Sequence, residues 1–105
     1  MIHEDKVAQA VELLRRAAPN ARIILFGSHA RGDAGEQSDL DFLVVQSEVK
    51  DRLAEMVRLR RVLRPLGMPV DILVASQQTF DYWADTPGSV YYEAAVEGKA
   101  FEPVP

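Results

Sequence analysis

The feature that most constrains this chain is a pair of aspartates, Asp39 and Asp41, at the mouth of an apolar run formed by Leu40, Phe42, Leu43, Val44 and Val45. Side chains alternate along a strand, so both carboxylates point to the same face. Side by side they repel each other, which is costly at the start of an apolar strand. A divalent cation removes that repulsion, and hard oxygen ligands suit Mg²⁺ at about 2.0–2.1 Å. Just upstream, the apolar stretch Ile23, Ile24, Leu25, Phe26 stops at Gly27 and Ser28, and a polar loop containing Gly32 and Gly35 follows. One end of the sheet is therefore expected to be a metal-dependent site for phosphates.

Asp71 is the third anomaly, a single carboxylate within the otherwise apolar strand Val70, Asp71, Ile72, Leu73, Val74. An ionised Asp is seldom buried unpaired, because desolvation is expensive. An arginine partner would satisfy it, but a metal shared with Asp39 and Asp41 accounts for all three residues at once. Three carboxylates can hold two Mg²⁺ ions about 3.5–4 Å apart, an arrangement suited to in-line attack on a nucleoside triphosphate. Asp71 is then expected nearest the nucleophile, to accept its proton. Gly27 lets backbone approach a phosphate, the amides after it can donate to phosphate oxygens, and Ser28 adds a hydroxyl. Arg31 can grip phosphate or pyrophosphate as a bidentate fork.

With 105 residues the chain is expected to form one domain, residues 1–105, and its 48% hydrophobic fraction suffices for a core. It has no cysteine, which removes disulfides and thiolate metal sites, and His3 and His29 form no ligand cluster. No apolar run reaches membrane-spanning length and the N-terminus is charged, so the chain is expected in the cytoplasm. The net charge of −4 argues against direct, non-specific binding of nucleic acid.

In order, the periodicity of Val7, Val11, Leu14 and Ala18 predicts a helix over 4–18, with Glu4 and Asp5 in its first turn and Pro19 and Asn20 ending it. A strand over 21–26, a loop over 27–38 and a strand over 39–46 follow; the last is apolar on both faces and so should be central. A second helix is predicted over 48–65, with Leu53, Met56, Leu59, Leu63 and Leu66 as its buried stripe and Arg52, Arg58, Arg60, Arg61 and Arg64 facing outward. That outward face is either solvated or a docking surface for an acidic partner. Pro69 introduces the third strand. Ser76 is placed to cap a short helix through Tyr82 and Trp83, and Ser89 or Pro87 begins another through Glu97. Gly98 stops it, and Lys99–Glu102 has the makings of an edge strand. The aromatics Tyr82, Trp83, Tyr91 and Tyr92 serve either the core or a partner.

Other motifs carry less. Gly27 to Gly32 has P-loop glycine spacing, but Asp33 and Ala34 stand where Lys and Ser/Thr are required. Ser28-His29 has no G-x-S-x-G around it, and Arg31-Gly32-Asp33 spells an adhesion tripeptide by coincidence. By contrast, G-S-H-A-R-G followed by S-D-L-D and a later lone Asp resembles the nucleotidyltransferase superfamily of the DNA polymerase β type. The segment from Pro87 to Gly98 is similar to the tail of its minimal bacterial members, so the likeness covers nearly the whole chain. The resemblance implies an α/β (α+β) nucleotidyltransferase domain with a small mixed sheet, three-stranded at its core, flanked by helices. It implies Gly27 and Ser28 at the triphosphate of ATP, with Arg31 and Ser38 among the nucleotide-binding residues, and Asp39, Asp41 and Asp71 as catalytic ligands of Mg²⁺.

Larger relatives carry a helical substrate-binding domain in the same chain. Here the acceptor is expected from a separate protein, in a hetero-oligomer. The minimal members resemble antitoxins paired with an all-helical RNase toxin of the HEPN type, and in that family AMP passes from ATP to a toxin tyrosine. Two other readings stay open at this point: nucleotidylation of a small molecule with a helical partner subunit, and a non-catalytic module that inhibits its partner by contact.

Overall fold

A computed structural model of the chain describes residues 2–35 and 38–103. Residues 36–37 of the predicted loop, and the side chain of Glu4 in the predicted first turn, lie outside the described set. Among the described residues there are five α-helices and one four-stranded mixed sheet, the α/β architecture expected. The chain runs α1 (Ile2–Ala17), β1 (Arg22–Phe26), α2 (Ser28–Arg31), β2 (Leu40–Gln46), α3 (Arg52–Val62), a 3₁₀ turn (Arg64–Leu66), β3 (Val70–Ser76), α4 (Gln77–Trp83), α5 (Val90–Glu97) and β4 (Lys99–Phe101).

The sheet order is β3-β2-β1-β4. β1 pairs antiparallel with both β2 and β4, while β2 and β3 run parallel. The doubly apolar β2 is central, as its composition requires, and the Lys99 segment adds a fourth strand to the expected three.

Alternation along the strands divides the core into two layers. Leu40, Phe42 and Val44 of β2, with Ile23 and Leu25 of β1 and Ile72 and Val74 of β3, pack beneath α1 and α3 through Ala10, Leu14, Leu59 and Leu63. On the other face Ile24, Phe26, Leu43, Val45 and Ala75 meet Phe80 of α4 and Ala94 of α5. Each fully buried large side chain contributes roughly 1.5–3 kcal/mol. Asp41 shares its face with Leu43 and Val45, so it sits at the end of the second layer.

Several helix limits follow from local chemistry. Asp51 caps α3 by accepting from the Ala54 amide at 3.0 Å, which starts the helix later than predicted. Ser76 and Ser89 cap α4 and α5 by accepting from the amides of Thr79 and Tyr92. Gly98 ends α5 with an ordinary φ of −77°; its glycine is required by packing, because a Cβ there would run into the Ala94 carbonyl and Ile24. The predicted stripe of α3 holds for Leu59, Leu63 and Leu66, whereas Leu53 is 69% exposed. Among the described residues no helix is long and apolar enough to cross a membrane.

Candidate active site

The strand register assembles the carboxylates. Phe26 of β1 lies opposite Asp41 of β2, and Asp41 lies opposite Asp71 of β3. Because β2 and β3 are parallel and both begin here, their first residues share one end of the sheet, anchored where the Leu40 amide donates to the Pro69 carbonyl at 3.2 Å. Asp39 lies one residue before the strand, not within it as predicted, yet close enough to act on Asp41.

Burial falls on a different carboxylate from the one expected. Asp71 is exposed, because it opens an edge strand, while the half-buried Asp41 lies between two neighbours. Desolvation of Asp41 pushes its pKa up to about 6, with the charges of Asp71 and then Asp39 adding to the rise and that of His29 opposing it. Among the described residues no Lys or Arg forms an ion pair with any of the three aspartates. Nor, among those residues, do three His, Cys, Asp or Glu side chains converge as a ready-made metal cluster.

Gly27 sits directly against this row of aspartates. Its φ of +78° is a conformation few residues other than glycine adopt, and a Cβ added there would collide with the Asp41 carboxylate. The chain then turns into α2, a single helical turn inside the predicted loop. The amides of Ala30 and Arg31 return to the Gly27 carbonyl. The Ser28 amide, at the first position, lies outside the helix's own hydrogen bonding. Gly32 ends α2 in the left-handed conformation at φ 87°.

The other predicted residues are placed less directly. Ser38 Oγ, next to Asp39 in the chain, accepts from the Gly35 amide at 2.9 Å. Its carbonyl lies 3.2 Å from His29 Nε2, which ties α2 to the entry of β2. His29 is thus a neighbour of the row that sequence reasoning set aside, and only its place on α2 reveals it. Arg31 is engaged by carboxylates, with Asp33 at 3.3 Å and Glu93 and Glu97 each at 3.8 Å. The bond to Asp33 and the charge of that group raise its pKa further. The predicted aromatic cluster separates: Tyr91 packs on the second layer, whereas Tyr82 is 72% exposed and meets Trp83 edge-on at 5.0 Å.

A family profile for the nucleotidyltransferase domain matches residues 7–93. The chain belongs to the nucleotidyltransferase domain family. A Methanocaldococcus jannaschii protein named as an inferred protein adenylyltransferase is 37% identical over 60 residues, 57% of this chain and 58% of that protein. The matched segment thus spans little more than half of that relative.

Among solved structures, a toxin–antitoxin complex with AMP-PNP aligns over 92% of this chain and 70% of its own, with a TM-score of 0.63 at 25% identity. The complex of a tri-AMPylated Shewanella oneidensis HEPN toxin with its MNT antitoxin aligns over 95% of this chain and 71% of its own. Its TM-score of 0.59 at 21% identity establishes likeness of fold.

Proposed function

We propose that the chain is a Mg²⁺-dependent nucleotidyltransferase that moves AMP from ATP onto a hydroxyl, a tyrosine side chain, of a helical HEPN-type toxin, and thereby acts as its cytoplasmic antitoxin. The observation that carries this reading is the register that sets the desolvated Asp41 beside Asp71 and against Gly27. Family membership, the adenylyltransferase name of the relative and the fold shared with antitoxin complexes support it.

The row fits a divalent cation: it offers hard oxygen donors, its charges repel one another, and among the described residues no Lys or Arg pairs with them. Asp41, Asp39 and Asp71 would hold it. When bound, Mg²⁺ supplies charge neutralisation at the phosphates and a lower pKa for the attacking hydroxyl. The remaining work belongs to the chain. Gly27 allows close approach of the triphosphate, and the Ser28 amide and hydroxyl are donors for its oxygens. Asp71, exposed on the edge strand, faces the side from which an acceptor can arrive and takes the proton of its hydroxyl. A P–O bond forms to the acceptor oxygen as the bond to pyrophosphate breaks, and pyrophosphate leaves.

The test is co-expression with an all-helical product of the adjacent reading frame, followed by mass spectrometry and an RNA-cleavage assay. Wild type should add one or more adenylyl groups to the partner and silence it. Asp41→Asn and Asp71→Asn should bind the partner and leave its mass and activity unchanged. If those variants silence the partner as well as wild type does, inhibition is by contact and the transfer reading is wrong.

A further inference from the structure

The chain carries 16 acidic side chains and 12 lysines and arginines, and several of its other arginines find carboxylates. Arg22 pairs with Glu102, Arg31 with Asp33, and Arg58 with Glu55. Arg60, Arg61 and Arg64 do not. All three are exposed, and among the described residues none of them makes an ion pair or a side-chain hydrogen bond. They line a groove of about 690 Å³ between α3 and the start of β3, together with Val57, Met68 and Val70.

We infer that this groove docks an acidic helical segment of the protein that supplies the acceptor hydroxyl. The inference rests on the protein-acceptor reading above and specifies how the acceptor is chosen. Three observations carry it. The first is charge: a cluster of unpaired guanidiniums on an acidic chain selects carboxylates, which arginine grips bidentately.

The second is the apolar component. Leu53, 69% exposed, and Val57, 50% exposed, stand on α3 ahead of Arg60 and Arg61, with Arg64 in the turn beyond. Exposed aliphatic groups beside arginines suit a protein interface, where buried apolar anchors and Arg dominate the binding energy. A phosphate backbone has no use for the aliphatic part, and the net charge of −4 repels it at long range.

The third is position. Val70 lines the groove, and the next residue is Asp71, opposite Asp41. The Asp71 side chain points to the face of β3 opposite Val70, and β3 is an outer strand of the sheet, so a partner held by the arginines reaches that carboxylate around the open edge.

The experiment compares wild type with the triple variant Arg60→Gln/Arg61→Gln/Arg64→Gln, using the helical partner and a 20-nucleotide RNA as probes. Calorimetry at low and high salt should show the triple variant binding the partner roughly tenfold or more weakly, with most of the salt dependence gone. Affinity for ATP should be unchanged, and so should the melting temperature. In transfer assays KM for the partner should rise while kcat is kept. Partner affinity within about twofold of wild type in the triple variant overturns the inference, as does wild-type binding of the RNA tighter than of the partner and lost in the triple variant. A wild type that binds the partner through these arginines but never adds AMP upholds the groove and removes only the transfer reading.

Discussion

Two clusters of like charge flank β3, and the fold treats them differently. The aspartates sit on the sheet, where register forces Asp41 between neighbours and withdraws it from water. The arginines stand on the outward side of α3 and the turn after it, fully able to hydrate. Some other surface arginines pair with carboxylates, as at Arg58–Glu55, 2.6 Å. The acidic row therefore costs the fold stability, while the hydrated arginines cost almost nothing. Substitutions in the row should change both chemistry and stability; substitutions in the groove should change association alone.

The largest expected effect is at Asp41. Asp41→Asn removes a charge from the row, and transfer should fall by about a hundredfold or more, beyond the 10–100-fold typical of residues that only support a metal ligand. Its melting temperature should equal or exceed that of wild type, since a repulsive, desolvated charge has gone. A marked drop in melting temperature would assign Asp41 a structural role and break the contrast. Next is Gly27→Ala, which forces a side chain into the Asp41 carboxylate at a φ of +78°. Thermal unfolding should show a loss of roughly 1–3 kcal/mol, the usual cost of such strain, and ATP should no longer raise the melting temperature.

A pH series separates the clusters further. The pKa of Asp41 is raised in the fold from 3.8 to about 6, so the folded state holds a proton that the unfolded chain has released. Its contribution to stability is complete below about 3.8 and is lost as pH rises through about 6. Metal-free wild type should therefore gain stability relative to Asp41→Asn on going from pH 7.5 to pH 5. Affinity for Mg²⁺ with ATP should fall over the same interval, because the proton competes with the cation. Parallel melting curves for the two proteins across that range would show that Asp41 titrates normally.

How far the sequence discloses this arrangement depends on whether the determinant is local. Alternation places Asp39 and Asp41 toward one face, and the doubly apolar β2 announces a central strand; both follow from residues a few positions apart. Which strand lies at an edge does not, so Asp71 reads as buried when it is exposed. The period of α3 gives a direction around the helix axis but not how far along that axis the sheet extends, and Leu53 in the first turn projects past its cover. Arg31 meets Glu93 and Glu97 only because α5 folds back near the loop. The single turn of α2 is too short to show a period. Gly98 looks like an ordinary helix stop, but its reason is contact with Ile24, far away in the chain.

The smallest effect gives the sharpest contrast, because it compares two arginines of one helix. Arg58 grips Glu55 through two bonds of 2.8 and 2.6 Å, and Glu55 also accepts from Gln46 at the end of β2, so the trio ties α3 to the sheet. The Arg58 bond is the main reason that the Glu55 pKa falls from 4.5 to about 2. This pair stabilises the fold above about 4.5 and loses that contribution as pH falls toward about 2, an interval that lies mostly below that of Asp41. Arg58 is half exposed, so the pair contributes at most about 1 kcal/mol. Arg58→Gln should accordingly lower the melting temperature at pH 7 by no more than about 4–8 °C and flatten the loss of stability below pH 4.5. Its affinity for the helical partner should be unchanged. Arg61→Gln, three residues on, should behave in the opposite way: stability within about 0.5 kcal/mol of wild type and weaker, less salt-sensitive association. If both variants weaken association equally, the partner reads the whole charge of α3, and the division between a paired arginine that holds the fold and an unpaired one that meets a partner fails.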